Sequence, residues 1–484
     1  MIALPRTIRV ISLAVLVALV MIWVLTGLVT APTAAAHGLA ANVTTLAITP
    51  AKPTVGTEVV ATAEGLLPGR TFDLVWETIT GGWVVEDDYY FRGRKAVEST
   101  ISLGRFRSGN DGRLTASFKI PEDYGGVHNV VLNFDGTPVA QGMVDVVQSF
   151  EMSPTSGPIG TPIELRVKGL GWAAMESTWV LNWDNMETGF ISAVDTKGSA
   201  TARFRATGPV GRHEIKVYTG YMGQSYLNHE QAPNAYLPRP NFTFQTTAAG
   251  PVETAYVEPY QPYPVAAPQS AIGASLWLSR TQGPVGTPFM LRGSGFPSDT
   301  SLSLVWQTMV GSRVSGSGYG PSQSAFAEFA SGRDGAFALD LNVPDDLGGR
   351  HALIVKQGDS EVARAEFAIQ TSIVSITPTS GPAGTAVTIH LKGVGWTEFD
   401  NIYTAVYDNA YMGYACGFNT QGDVVINFTA AGAPGVHLID LYPGIYQGPK
   451  DFAQQLYRLP QLTYADDHPG NKIPAIHFAI TVTE

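Results

Sequence analysis

The sequence predicts an all-β protein: four tandem β-sandwich domains behind one N-terminal apolar helix. Three observations carry that expectation: a long-range internal repeat, short runs that alternate apolar with polar residues, and a composition rich in turn formers. Of 484 residues, 52 are Gly and 32 Pro, while 44% are hydrophobic and only 15% are charged. That apolar content can bury several cores, and that density of Gly and Pro favours short strands joined by turns over long helices.

The first element is a targeting segment, residues 1–36. Arg6 and Arg9 precede an uncharged run over 10–29, the length a helix needs to cross hydrocarbon. The flanking arginines would keep the N-terminus inside and send the rest across. Ala34-Ala35-Ala36 offers a small-residue cleavage site, so the segment reads either as a signal anchor or as a signal peptide. The expected location is the cell membrane, single-pass with an extracytoplasmic C-terminus, or secretion if the chain is cut near Ala36. Cleavage there would expose His37 as an amino-terminal copper chelator, although no partner histidine is identifiable.

A repeat organises the remainder of the chain. Ser153-Pro154-Thr155-Ser156-Gly157-Pro158-Ile159-Gly160-Thr161 recurs 224 residues on as Thr377-Pro378-Thr379-Ser380-Gly381-Pro382-Ala383-Gly384-Thr385. The same offset links Trp172 to Trp396, Asp184-Asn185 to Asp408-Asn409, and His213 to His437. A second pair links Leu74-Val75-Trp76 to Leu304-Val305-Trp306 at an offset of 230, which falls to 223 from Asp111-Gly112 to Asp334-Gly335. The seven residues extra in the first copy lie between Trp76 and Asp111, where an enlarged surface loop or hairpin is expected. The chain therefore reads A–B–A′–B′, with A at 43–149, B at 150–246, A′ at 274–371 and B′ at 372–484. The Pro/Tyr-rich linker 247–273 should form an extended, semi-rigid spacer that holds the two halves apart.

Within each unit the period is two. Phe72, Leu74 and Trp76 alternate with Thr71, Asp73 and Val75, and Leu114, Ala116 and Phe118 alternate with Thr115, Ser117 and Lys119. One apolar face per run is the mark of a half-buried antiparallel strand. Turn signals such as Asn110-Asp111-Gly112 recur at the spacing of small immunoglobulin-like sandwiches. His128, His213, His351 and His437 each open a late strand on its apolar side. Each ring is expected to bond a turn carbonyl while packing its carbon face, as the tyrosine corner of such sandwiches does, and not to bind metal.

The opening Ile376-Thr377-Pro378-Thr379-Ser380-Gly381-Pro382-Ala383-Gly384-Thr385, followed by Val387-Thr388-Ile389 and Gly393-Val394-Gly395-Trp396, resembles the start of IPT/TIG domains. Those are immunoglobulin-like modules of bacterial surface proteins, some receptors and some transcription factors. The resemblance covers the first half of B and B′ well, and A and A′ more loosely. It departs later in B and B′, where residues 218–244 and 442–464 exceed the compact module. It implies a fold and leaves the ligand open.

No Walker loop, dinucleotide fingerprint, HExxH or GxSxG elbow stands at a strand-to-helix junction, so no enzyme and no catalytic residue is expected. A net charge of −11 without a long basic run argues against nucleic acid as a partner. Cys416 is the only cysteine, so no intramolecular disulfide can form, and a small buried role is expected for it. The paired acids Asp87-Asp88 and Asp466-Asp467 read as turn and loop solvation. No cofactor is expected; Glu122-Asp123 and Asp345-Asp346 recur at equivalent turns, where calcium is the one alternative, with further oxygen ligands needed from elsewhere.

The candidate binding residues are aromatic. Trp83, Tyr89, Tyr90 and Phe91 lie in the extra segment of A; Tyr218, Tyr221 and Tyr226 lie late in B; Tyr442 and Tyr446 are their counterparts in B′. Aromatic clusters supply contact area with a polar handle when exposed, and cover a domain junction when not. The expected function is a non-enzymatic surface protein, tethered through its N-terminal helix, that binds or adheres to protein or glycan at the cell surface. The alternatives are a self-assembling component of the envelope or of an extracellular filament, and a secreted copper protein using His37.

Overall fold

In a computed structural model, the described residues are 43–484, apart from 88, 174, 222–223, 249, 313–317, 418–419 and 446–458. The apolar run 10–29, the Ala34–Ala36 cleavage site and His37 lie outside them. Among the described residues no helix is long and apolar enough to cross a membrane, and the chain is built almost wholly of strands. The expected placement as a single-pass membrane protein is therefore corrected: the described structure contains nothing that would make it one.

Among the described residues the strands form eight sheets in four pairs, each a three-stranded sheet facing a larger one. In A the larger sheet runs Thr44–Thr45, Thr137–Val146, Gly126–Phe134, Thr71–Glu86, Tyr90–Arg107, against Ala47–Thr49, Glu58–Ala63 and Leu114–Lys119. B, A′ and B′ repeat this order. Burial follows the period-two pattern: in Glu58–Ala63 and in Leu114–Lys119 every second residue is buried. Trp76 and Trp306 are fully buried between the sheets of A and A′. The Asp-Asn pairs make tight hairpin turns, because Asp184, Asn185, Asp408 and Asn409 all take positive φ, which a two-residue hairpin of matching twist requires.

The extra residues of A form a hairpin, as expected, between Thr71–Glu86 and Tyr90–Arg107. The expected separation of the halves is not found. The linker does not bridge free space: its Ala255–Val257 pairs with Ile476–Thr483 to complete the B′ sheet, and its Gln269–Ser270 pairs with Ser360–Gln370 of A′. B and B′ share apolar packing, with Val406, Tyr442, Leu462, Tyr464 and Ala475 of B′ joining the core of B. The prolines do keep the linker extended, but an extended backbone beside an open sheet edge gains more by pairing with it than by standing in water.

Each A–B junction includes a close backbone contact. Gly125 N–H bonds the carbonyl of Leu170 at 3.1 Å and Gly348 N–H bonds that of Val394 at 3.0 Å. A Cβ on Gly125 would stand 1.9 Å from the oxygen of Gly169, and one on Gly348 2.1 Å from that of Gly393, so neither site can take a side chain without the domains shifting. Gly125→Ala and Gly348→Ala are each expected to cost about 1–3 kcal/mol by overpacking. Chemical denaturation would check this, with the same substitution at the open, negative-φ Gly320 as a control that changes little.

Candidate functional site

The aromatic residues proposed for binding are mostly consumed inside the molecule. Phe91 is 1% exposed and packs with Phe190 of B and Ile445 of B′, and its N–H donates to Glu398 Oε2 at 2.6 Å. Tyr89 is buried and stacks on Trp396 of B′ at 4.8 Å between centroids. The Trp83 indole N–H donates to the carbonyl of Asp467 at 2.7 Å. The hairpin tip of A thus wedges into the B–B′ junction, which corrects the reading of these residues as an exposed contact surface. Tyr90 is 36% exposed with Arg92 over its ring. Tyr442 is fully buried and packs against Tyr464. Tyr218 and Tyr226 are half-buried, while the Tyr221 side chain and Tyr446 lie outside the described residues.

The paired acids divide their labour in the same way in both halves. Asp123 and Asp346 are buried and accept the indole N–H of Trp76 and Trp306, each at 2.8 Å. Glu122 meets Lys168 of B at 3.6 Å, and Asp345 pairs with Lys392 of B′. One acid holds a core tryptophan and the other ties A to B. Among the described residues no three His, Cys, Asp or Glu gather as a metal site. The histidine corners form as expected. Nε2 of His128, His213, His351 and His437 lies 2.7–2.9 Å from the carbonyl four residues earlier, and each ring stacks on Trp76, Trp183, Trp306 or Tyr407. Cys416, expected to be buried, is half-buried.

The densest polar chemistry lies at the B–B′ seam, where no local sequence signal marks it. Arg205 of B, 3% exposed, reaches Asp440 of B′ at 2.5 Å and donates to the carbonyl of Phe478 at 2.9 Å. His477 bridges Asp440 at 2.7 Å and Glu258 of the linker at 3.0 Å, and Tyr464 O–H donates to Glu258 at 2.5 Å. Burial works against the charge on Asp440, but Arg205 and His477 beside it hold its carboxyl below the ordinary range. Around this pair the Asp408-Asn409 turn of B′ inserts into B. Asn409 Nδ2 donates to the carbonyl of Arg205 at 2.8 Å, and the Thr188 and Thr207 hydroxyls donate to Asn409 O and Asp408 Oδ1.

A clasp completes the seam. Residues 459–468 of B′ cross to B, where Phe190 N–H bonds the carbonyl of Pro460 and Leu462 N–H bonds that of Phe190. Asp467, expected from sequence to sit in a solvated loop, is fully buried there. It accepts from Ser192 Oγ–H and Asp195 N–H, each at 2.6 Å. Burial pushes its carboxyl up to about 7, and pushes the neighbouring His468 down to about 4. The missed signal was length. His213 pairs with Phe244 and His437 with Ile480, so this connection is twelve residues longer in B′ than in B.

These contacts hold B and B′ together through buried polar groups. A cavity of about 330 Å³ lies elsewhere, along Gln269–Ala271 and Glu361–Arg364. Another, of about 10 Å³ beneath Tyr260, Tyr263 and Asp400, has room for no more than a water.

No family model matches the chain, and no curated protein matches it. Solved structures align at low similarity. A Salmonella alpha-2-macroglobulin is 10% identical over 89% of this chain and 30% of its own, with a TM-score of 0.18. Invasin, a bacterial integrin-binding protein, is 10% identical over 83% and 76%, at 0.19. The N-terminal eight Ig domains of Down Syndrome Cell Adhesion Molecule are 10% identical over 83% and 51%, at 0.17. This chain thus spans under a third of the macroglobulin's length, and no role of these proteins is carried to it at such scores.

Two outcomes test the seam. Arg205→Ala strands Asp440 in the interior and should cost about 3–5 kcal/mol, read by urea denaturation. The second concerns pH. Asp467 holds its proton more tightly folded than unfolded, so its contribution strengthens as pH falls from about 7. His468 resists protonation when folded, so its contribution weakens as pH falls from 6.5 towards about 4, and the two oppose each other. Removing the first alone should uncover the second. Relative to the parent, Asp467→Asn should melt no lower above pH 7 and progressively lower between pH 7 and 4; a pH-independent difference would show that Asp467 does not titrate in the seam.

Proposed function

We propose that the chain is a non-enzymatic surface-binding protein, a rigid assembly of immunoglobulin-like domains of IPT/TIG type that engages a protein partner through an outer sheet face. The opening signature of B and B′ supports the family, since its residues start the strand pairs that build those two sandwiches. The absence of an enzyme motif, together with the use of the acids and histidines in internal contacts, supports a binding role over a catalytic one.

The observation that carries the reading is Trp277. It stands 53% exposed on the three-stranded sheet of A′, with Arg292 across its ring at 5.3 Å. The equivalent strand of A carries Ala47 there. Tryptophan and arginine together are the residue types that dominate protein-interface energetics, and a large ring left in water is costly unless it meets something. Trp277→Ala should reduce binding of the labelled protein to intact cells by tenfold or more, as loss of a hot spot of at least about 2 kcal/mol would. Its melting temperature should not change. Loss of binding after protease treatment of the cells supports a protein partner, loss only after glycosidase treatment points to a glycan, and unchanged binding by the variant removes this face from the function.

A further inference from the structure

The linker is held to B′ by little backbone. Its Ala255–Val257 pairs with Ile476, His477 and Phe478, and two more bonds flank that stretch, from Ala479 N–H to the carbonyl of Thr254 at 2.9 Å and from Glu258 N–H to that of Ala475 at 3.1 Å. Side chains add to this through one ring. In the register of the sheet Tyr256, His477 and Asp440 stand abreast on neighbouring strands, so their side chains share a face, and Glu258 follows Tyr256 on that face by the period of two. The ring of Tyr256 lies 4.7 Å from that of His477. The matching positions of B, Lys216 and Asn241, pair in the same register but carry neither an imidazole nor an acid. The arrangement is particular to B′, the unit whose sheet the linker completes.

Both nitrogens of that ring face acids. Nδ1 lies 2.7 Å from Asp440 and Nε2 3.0 Å from Glu258, with the ring 4% exposed. A carboxylate only accepts, and a neutral imidazole has one N–H and one lone pair, so two such contacts need a proton on each nitrogen. The other side-chain partners of the two acids are donors as well: Arg205 serves Asp440, and the Tyr464 hydroxyl serves Glu258. With the ring protonated, the charges of Arg205, Asp440, His477 and Glu258 cancel; without that proton a negative charge is left over in the seam. Burial alone would lower the ring, but Asp440 and Glu258 beside it raise it above its ordinary value. Burial likewise works against the charge on Glu258, but His477 and Tyr464 hold it below the ordinary range. Tyr256, Tyr442 and Tyr464 also face the cluster, with Glu253 near the first and Arg203 near the last, and burial pushes all three phenols up. His477 is the group of this cluster that changes charge nearest neutrality.

We infer that a proton on His477 latches the linker to B′, and that its loss frees Ala255–Val257 from the sheet. The ring that remains has one N–H for two acids. It keeps that N–H on Asp440, which is 2% exposed and tied to Arg205, whereas Glu258 is 28% exposed and can turn to water. The lone pair on Nε2 then faces a carboxylate oxygen, so Glu258 leaves and draws the end of the linker strand with it. The ring binds its proton more tightly folded than unfolded. The latch therefore holds fully below about pH 6.5, the ordinary imidazole value, and is lost as pH rises through the raised one.

Hydrogen exchange of the full chain tests it, read by mass spectrometry from about pH 6 to about pH 9 and corrected for the pH dependence of exchange in an unfolded peptide. The peptide that carries the Glu258 N–H should lose its protection as pH rises. The loss should coincide with the passage of His477 from two N–H groups to one, followed by heteronuclear NMR of histidine-labelled protein. Glu258→Gln should abolish the loss, because its amide can accept from the charged ring or donate to the neutral one. The clasp at Asp467 should keep its own pH response in this variant, which separates the two sites. A single N–H on His477 at about pH 6 overturns the proposal. So does a linker whose protection does not change with pH, or a Glu258→Gln variant that responds as the parent does.

Discussion

A guanidinium in a dry interior must keep its carboxylate, and in this molecule the two belong to different halves of a duplicated chain. Arg205 sits in B and Asp440 in B′, and everything at the seam is arranged so that neither is left alone. His477 and Glu258 extend the pair into a network. The buried ring of Tyr442 and the apolar side chains of B′ that enter the core of B exclude water from it. Such a pair adds little net stability against a hydrophobic alternative, but separating it is severe, so it fixes geometry more than it adds strength.

The seam is also one-way. The turn Asp408-Asn409 enters B at Thr188, Arg205 and Thr207, whereas the matching positions of B′ are Met412, Thr429 and Ala431. Those residues offer no hydroxyl, cation or hydroxyl in the same places. Asp184-Asn185, the matching turn of B, remains exposed. A heterologous contact between repeated modules would propagate into an open filament if both modules kept both halves of it. Divergence of a few side chains has confined it to one internal copy.

The features legible in the sequence were local. Strand parity, the Asn110-Asp111-Gly112 turn and the histidine corners depend on neighbours within a few residues, and the carbonyl that each corner ring meets is only four residues away. The hairpin of A was legible as surplus length. The features that escaped depend on partners hundreds of residues distant. Exposed and junction-covering aromatics have the same composition, so Trp83, Tyr89 and Phe91 could not be sorted without knowing that B′ returns to meet them. Asp466-Asp467 looks like any acidic turn, because the donors that tolerate Asp467 in the interior come from Ser192 and Asp195. The linker was extended, as its prolines dictate, but nothing in its composition distinguishes a spacer from a strand.

The tie between the first half and the last domain has a consequence for how the chain is made. Synthesis delivers domains in order from the N-terminus, and domains generally fold as units when they emerge. B cannot do so completely, because Tyr464 and Leu462 are part of its core and Asp440 is the counter-ion of its Arg205. From the time B leaves the ribosome until B′ emerges, its Phe190 edge and the Arg205 site stay open to solvent. A nascent chain in that state carries an unpaired strand edge beside an apolar face, the surface that chaperones cover.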